Sequence, residues 1–127
     1  MGKNYLIDSN IIIYFLAQNF DSKTNFCLSN IFDEELNISI VTEMEILGYE
    51  KVTKQAEEFI GLARIYELDR KTVRETIHLR KKFKIGLADA IIAATAISHN
   101  FVLITKNTKD FKKINHLKIL DPIELPR

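Results

Sequence analysis

Short unbroken apolar runs that alternate with stretches of helical spacing are the feature that most limits what this chain can fold into. The runs are Tyr5-Leu6-Ile7, Asn37-Ile38-Ser39-Ile40-Val41, Ile65-Tyr66-Glu67-Leu68, Phe101-Val102-Leu103-Ile104 and Leu117-Lys118-Ile119-Leu120. Most of them lack the in–out alternation of a half-exposed strand and read as strands buried on both faces. Between them lie helical patterns. Asp8-Ser9-Asn10 offers capping residues ahead of Ile11 to Leu16, and Ser9 or Asn10 caps as well as Asp8, which leaves Asp8 free for other work. Residues 22–32 place Phe26 and Ile31 on one side. Thr42 is read as the cap of a helix that carries Glu43, Met44, Glu45, Ile46 and Leu47, and its spacing to Glu45 fits a capping box, with Gly48 near the end. Residues 53–63 carry Ala56, Phe59, Ile60 and Ala63 at helical spacing, residues 70–83 end in a basic run before Gly86, and Leu87 to His99 is apolar nearly all round. The order predicts an α/β domain of three layers, α/β/α, with a mostly parallel sheet.

At 127 residues the length suits one domain, 1–127, and no repeat, linker or low-complexity segment divides it. The single cysteine, Cys27, excludes an internal disulfide and is expected to act as a small buried hydrophobe. The N-terminus has no apolar core or cleavage site of a signal peptide. No apolar run reaches the roughly 20 residues that a membrane helix needs. A soluble, cytoplasmic protein is expected. The net charge of +1 neither demands nor excludes nucleic acid, so the placement of charge matters more. Arg80, Lys81, Lys82 and Lys84 crowd one segment, and Lys106, Lys109, Lys112 and Lys113 another. Each group reads either as a solvated surface, the first also as a helix end whose dipole favours cations, or as a grip on phosphates. The three histidines show no ligand spacing.

In open α/β sheets the ligand site lies at the carboxyl ends of the strands. That rule singles out Asp8, the loop after Val41, and Thr105 to Asp110. Asp8 is a helix cap or a site residue. Asp89 opens a helix that should be buried, where an ionised carboxylate is costly unless paired or metal-bound; its plain reading is a first-turn acid favoured by the helix dipole. Glu43 and Glu45 diverge by about 200° around a helix, so at most one serves a site. Asn107 and Asp110 suit turn chemistry as well as a site. Carboxylates gathered in a cleft repel one another, and a hard divalent cation with oxygen ligands removes that penalty.

Four segments carry a resemblance: Leu6-Ile7-Asp8-Ser9-Asn10, Ser39 to Gly48, Gly86 to Ala93, and Leu103 to Phe111. In this order and spacing they resemble the PIN domains, and among them the VapC-type toxin ribonucleases of toxin–antitoxin pairs. The resemblance implies an Mg²⁺-dependent endoribonuclease, with Mn²⁺ as a substitute ion, acting on single-stranded RNA. It implies metal-binding and catalytic roles for Asp8, Glu45, Asp89 and Asp110, with Asp110 supplying the carboxylate because Asn107 stands where many members carry Asp. Ser9, Thr105 and Asn107 would support the site. It further implies a sheet of about five strands, a homodimer and a cognate antitoxin, for which the face of Ala56, Phe59, Ile60 and Ala63 is one candidate surface if it is not core. Two rival readings are a catalytically inactive PIN-like binding module and a phosphoacceptor receiver-like domain. The receiver lacks its paired acids here, and a phosphatase with an Asp-x-Asp loop is disfavoured by Asn10.

Overall fold

Leu6 and Ile7 are neighbours in sequence and are both fully buried, yet they belong to two different hydrophobic clusters. Leu103 and Ile104 divide in the same way. Successive strand residues point to opposite faces, so each pair marks a sheet covered on both sides. The computed structural model describes residues 4–125. In chain order it contains β1 (Tyr5–Ile7), α1 (Ser9–Leu16), α2 (Ser22–Glu34), β2 (Asn37–Ser39), α3 (Ile40–Leu47), α4 (Lys54–Gly61) and β3 (Arg64–Tyr66). Then follow α5 (Arg70–Lys82), α6 (Leu87–Ser98), β4 (Val102–Ile104), the single turn α7 (Thr108–Phe111), β5 (Ile119–Leu120) and a 3-10 turn at Pro122–Glu124. One cluster packs α5, α6 and α7 on the sheet through Leu79, Ile92 and Phe111; the other packs α1, α2 and α4 through Ile12, Leu28 and Ile60. The expected three-layer α/β/α order is therefore present, and every strand pair is parallel.

The five strands form two hydrogen-bonded groups, β1-β4-β5 and β2-β3, where one sheet of about five was expected. β1 and β2 lie side by side, but the ladder does not continue between them. The Asn37 side chain bridges the seam instead: its Nδ2 donates to the Tyr5 carbonyl at 3.0 Å and to Glu35 Oε2 at 2.9 Å. Asn37 is buried, and its Oδ1 has no hydrogen-bond partner.

The helices begin where their caps dictate. Ser39, not Thr42, caps α3: the Thr42 amide donates to Ser39 Oγ at 3.1 Å. Ile40 and Val41 are good strand formers, yet they make the first helical turn, so the expected strand 37–41 stops at Ser39 and the Thr42–Glu45 capping box does not form. Gly48 caps the end of α3, at a position where a Cβ would meet the Met44 carbonyl oxygen at 2.5 Å. Asn100 ends the burial of α6 with a left-handed φ of 57°, a conformation Asn tolerates better than most residues, and the turn delivers Phe101 to β4.

One open alternative is decided and one expectation is corrected. The Ala56, Phe59, Ile60 and Ala63 face is core: Ala56 and Ile60 are buried, and Phe59 packs against Phe15 and Phe32 with centroids 5.9 and 5.5 Å apart. Phe59 meets Phe32 edge to face and Phe15 at a tilt, at separations typical of packed rings. Cys27 is only partly buried, packed at the edge of the second cluster.

Candidate active site

The β1–β4 register aligns Ile7 with Ile104, so the next residues, Asp8 and Thr105, emerge together at the carboxyl edge of the sheet. Each amide extends the ladder one step beyond the strands: Asp8 N donates to Ile104 O at 3.0 Å, and Thr105 N to Leu120 O at 3.1 Å. Asp8 is 4% exposed. Its Oδ1 accepts the Ser9 amide at 2.8 Å as the N-cap of α1, so capping and site roles fall on one residue rather than being divided with Ser9 or Asn10. Its Oδ2 accepts from Thr105 Oγ1 at 2.7 Å and from Asn10 Nδ2 at 3.2 Å. Burial pushes the Asp8 carboxyl above the ordinary carboxylate range, against the pull of the Thr105 hydroxyl and the Ser9 amide; the Asp89 and Glu45 charges add to the rise.

Ser9 Oγ donates to Glu45 Oε1 at 2.5 Å and lies 3.1 Å from Thr42 Oγ1, which in turn lies 3.4 Å from Ser39 Oγ. The two buried threonine and serine hydroxyls thus back Ser9, and Ser9 holds Glu45. Glu45 is otherwise exposed, while Glu43 sits in the first turn of α3. Asp89 is in the first turn of α6, after a Gly86 cap that offers no side-chain bond. Burial raises the Asp89 carboxyl, and the charges of Glu45 and Asp110 raise it further, while Lys113 opposes them. Asp110 is exposed and takes a bond from Asn107 Nδ2 at 3.0 Å; the Asn107 amide donates to Thr105 Oγ1 at 2.9 Å. Asn107 therefore ties the exposed acid back to the residue that holds Asp8.

The four acids come from β1, α3, α6 and α7, yet each interacts electrostatically with at least one other. Among the described residues, no three acidic, histidine or cysteine side chains are grouped closely enough to hold a metal ion together. The arrangement is a loose set of oxygen donors. That suits Mg²⁺, which keeps several waters and takes one or two carboxylates directly; the donor set contains no soft ligand.

Reading the sequence missed three participants. Asn10 links Asp8 to the loop after β4 by accepting the Lys106 amide at 3.2 Å. Its position two after Asp8 was the available signal. Thr42 backs Ser9 rather than capping its helix. Lys113, read in the sequence only as one of a basic group, donates from Nζ to the Lys84 carbonyl at 2.6 Å, beside the loop that leads to Asp89. Arg80, Lys81, Lys82, Lys84, Lys106 and Lys109 are all exposed; the first three form the last turn of α5, where the helix dipole also favours them. His116 pairs with Glu75, and His78 and His99 pack against other rings, so none is bonded to the acids.

Fold and site together define a three-layer α/β protein with an acidic cleft at the carboxyl edge of its parallel strands. The chain belongs to the PIN domain family, whose description matches residues 5–117. It is similar to Ribonuclease VapC2 of Rickettsia felis, with 28% identity over 125 residues, 89% of this chain and 93% of that protein. A shorter segment of 41 residues is 49% identical to Ribonuclease VapC of Rickettsia bellii, and it spans only 31% of that relative's length and 32% of this chain. Among solved structures, it resembles the crystal structure of VapBC2 from Rickettsia felis bound to a DNA fragment from their promoter, at TM-score 0.75 and 25% identity, covering 92% of this chain and 97% of that one. A toxin–antitoxin complex from Klebsiella pneumoniae matches at TM-score 0.74 and 28% identity, covering 96% and 100% of the two chains.

Proposed function

We propose that this chain is a divalent-metal-dependent endoribonuclease, the toxin of a toxin–antitoxin pair, acting on single-stranded RNA in the cytoplasm. The observation that carries the reading is Asp8: a buried carboxylate, held by Thr105, Asn10 and its own cap, and burdened by the charges of Asp89 and Glu45. A helix cap accounts for one Asp8 oxygen but not for a buried carboxylate placed among other acids. Asp8, Glu45, Asp89 and Asp110 would hold Mg²⁺, or Mn²⁺ in its place. Bound there, the ion would supply a water of lowered pKa and a positive charge for the leaving oxygen of a phosphodiester.

The chain's own residues do the positioning. Thr105 and Asn10 aim one Asp8 oxygen, and the Ser9 amide aims the other. Ser9 brings Glu45 to the cleft, and Asn107 orients Asp110. The exposed Lys106, Lys109 and the 80–84 run would attract the RNA backbone. The ribonuclease names of the relatives support the substrate class, and the toxin–antitoxin complexes support a protein partner; a homodimer is part of the same proposal. An apolar groove lined by Ile13, Leu16, Tyr49 and Val52 ends at Glu45 and fits a partner segment that would cover the acids. Among the described residues no helix is long and apolar enough to cross a membrane.

Purified protein should cleave total RNA with Mg²⁺ or Mn²⁺, stop in EDTA and resume when the ion is restored. Undiminished cleavage in EDTA would overturn the mechanism.

A further inference from the structure

We infer that Tyr14 and Lys106 form a subsite that stacks one base of a single-stranded RNA beside the acidic cleft. The inference rests on the ribonuclease reading and names how that site holds its substrate. Tyr14 is one helical turn beyond Asn10, on the same side of α1, and is 40% exposed. Its ring rests against Phe20, with centroids 5.6 Å apart, which fixes its tilt. Lys106 Nζ lies 5.7 Å from the Tyr14 ring centroid. The Lys106 amide is bonded to Asn10 Oδ1, and Asn10 is bonded to Asp8, so ring and ammonium are tied to the cleft through two short links.

An exposed aromatic with a cation over it and a metal-binding acid nearby is unexplained by packing. The contact between an exposed ammonium and a ring is weak, worth about two- to fivefold in an equilibrium. A stacked base is worth about five- to a hundredfold. A base therefore displaces the ammonium, which is long and flexible enough to swing to the adjoining phosphate. Stacking reads no sequence, because every base has a flat face, so the subsite would set register without choosing a nucleotide. Duplex RNA keeps its bases stacked inside and cannot use it.

The chain has no tryptophan, so Tyr14→Trp gives a unique fluorophore at the subsite. In EDTA and low salt, where nothing is cut, an oligouridylate should quench its emission, and an abasic strand of equal length should not. Equal quenching by both strands, or by neither, would overturn the subsite whether or not the protein cleaves RNA. In the cleavage assay Tyr14→Leu should raise KM about five- to a hundredfold with kcat little changed, and Tyr14→Phe should rescue most of that loss. Circular dichroism and melting of each variant establish that it is folded. Should Tyr14→Leu fail to fold, the quenching pair alone decides. Selective quenching without cleavage at any divalent ion would leave the subsite standing and sink the ribonuclease reading. Cleavage with wild-type KM in a folded Tyr14→Leu variant would do the reverse.

Discussion

Valine in place of Thr105 tests how the cleft tolerates a buried charge. Thr105 is fully buried; its hydroxyl donates to Asp8 at 2.7 Å and accepts the Asn107 amide at 2.9 Å. Valine has nearly the same shape, so the change falls on those two bonds. A hydrogen bond to a charged group is worth about 1.5–3 kcal/mol, and a stranded buried partner costs about 1–3 kcal/mol. The Asn107 amide is only partly buried, and water can replace its partner. The expected loss without metal at neutral pH is about 2–4 kcal/mol. Unfolding entropy near 2.1 cal/mol/K per residue makes each kcal/mol worth about 4 °C in a chain of this length, so Tm should fall by roughly 8–15 °C. The sign with pH follows from Asp8. Its carboxyl is already raised by burial, and the Thr105 hydroxyl is the largest influence holding it down. A carboxyl raised in the folded state binds its proton more tightly there than in the unfolded chain. Ionising it therefore costs stability as pH climbs from the ordinary carboxylate value through the raised one. Removing the hydroxyl raises it further. The deficit of Thr105→Val should be small in acid, where Asp8 is protonated in both states, and should widen towards neutrality. Urea unfolding in EDTA across that range, followed by circular dichroism, measures it. A deficit that is the same at every pH would refute the claim that the bond serves an ionised Asp8.

Asp89→Asn should raise the metal-free melting temperature, because it removes a partly desolvated charge from beside Glu45 and Asp110; it should also weaken the stabilisation by Mg²⁺ and abolish RNA cleavage. Melting below wild type in EDTA, with the full Mg²⁺ shift retained, would remove Asp89 from the metal site. Glu45→Gln should slow cleavage by at least about a hundredfold, of the order seen when a charged group at a reacting centre is lost, whereas Glu43→Gln should leave the rate near wild type. The opposite ranking would mean that the wrong glutamate has been matched to Ser9.

The strands and most helices were legible because they rest on local pattern: fully apolar runs for β1 and β4, helical spacing for α4 and α5, and an all-round apolar surface for α6. The start of α3 was not. Ile40 and Val41 favour a strand by propensity, and only the tertiary setting, in which Ser39 caps and Val41 enters the core, makes them helical. Local spacing likewise pairs Thr42 with Glu45, whereas in the structure the partner of both is Ser9, more than 30 residues away. Asp8, Asp89 and Asp110 were visible because each follows a strand end or stands in the first turn of a helix, whereas Glu45 was singled out from Glu43 only by the family resemblance; the hydroxyl and amide groups that aim them were visible only in part, since Asn10 and Lys113 work through contacts made by folding.

The seam that Asn37 bridges runs through the cleft. Asp8 and Thr105 stand on the β1-β4-β5 side, while Thr42 and Glu45 follow β2 on the other. Pairing β2 with β3 joins residues 37 and 64, but pairing β1 with β4 must join residues 5 and 102. The nearer closure loses less chain entropy and comes sooner. The β1–β4 ladder, which brings Thr105 to Asp8, closes only after residue 102 is made, whereas Ser9 and Glu45 stand 36 residues apart and need no part of it. A chain still emerging during synthesis can therefore set one wall of the proposed cleft before the other wall exists.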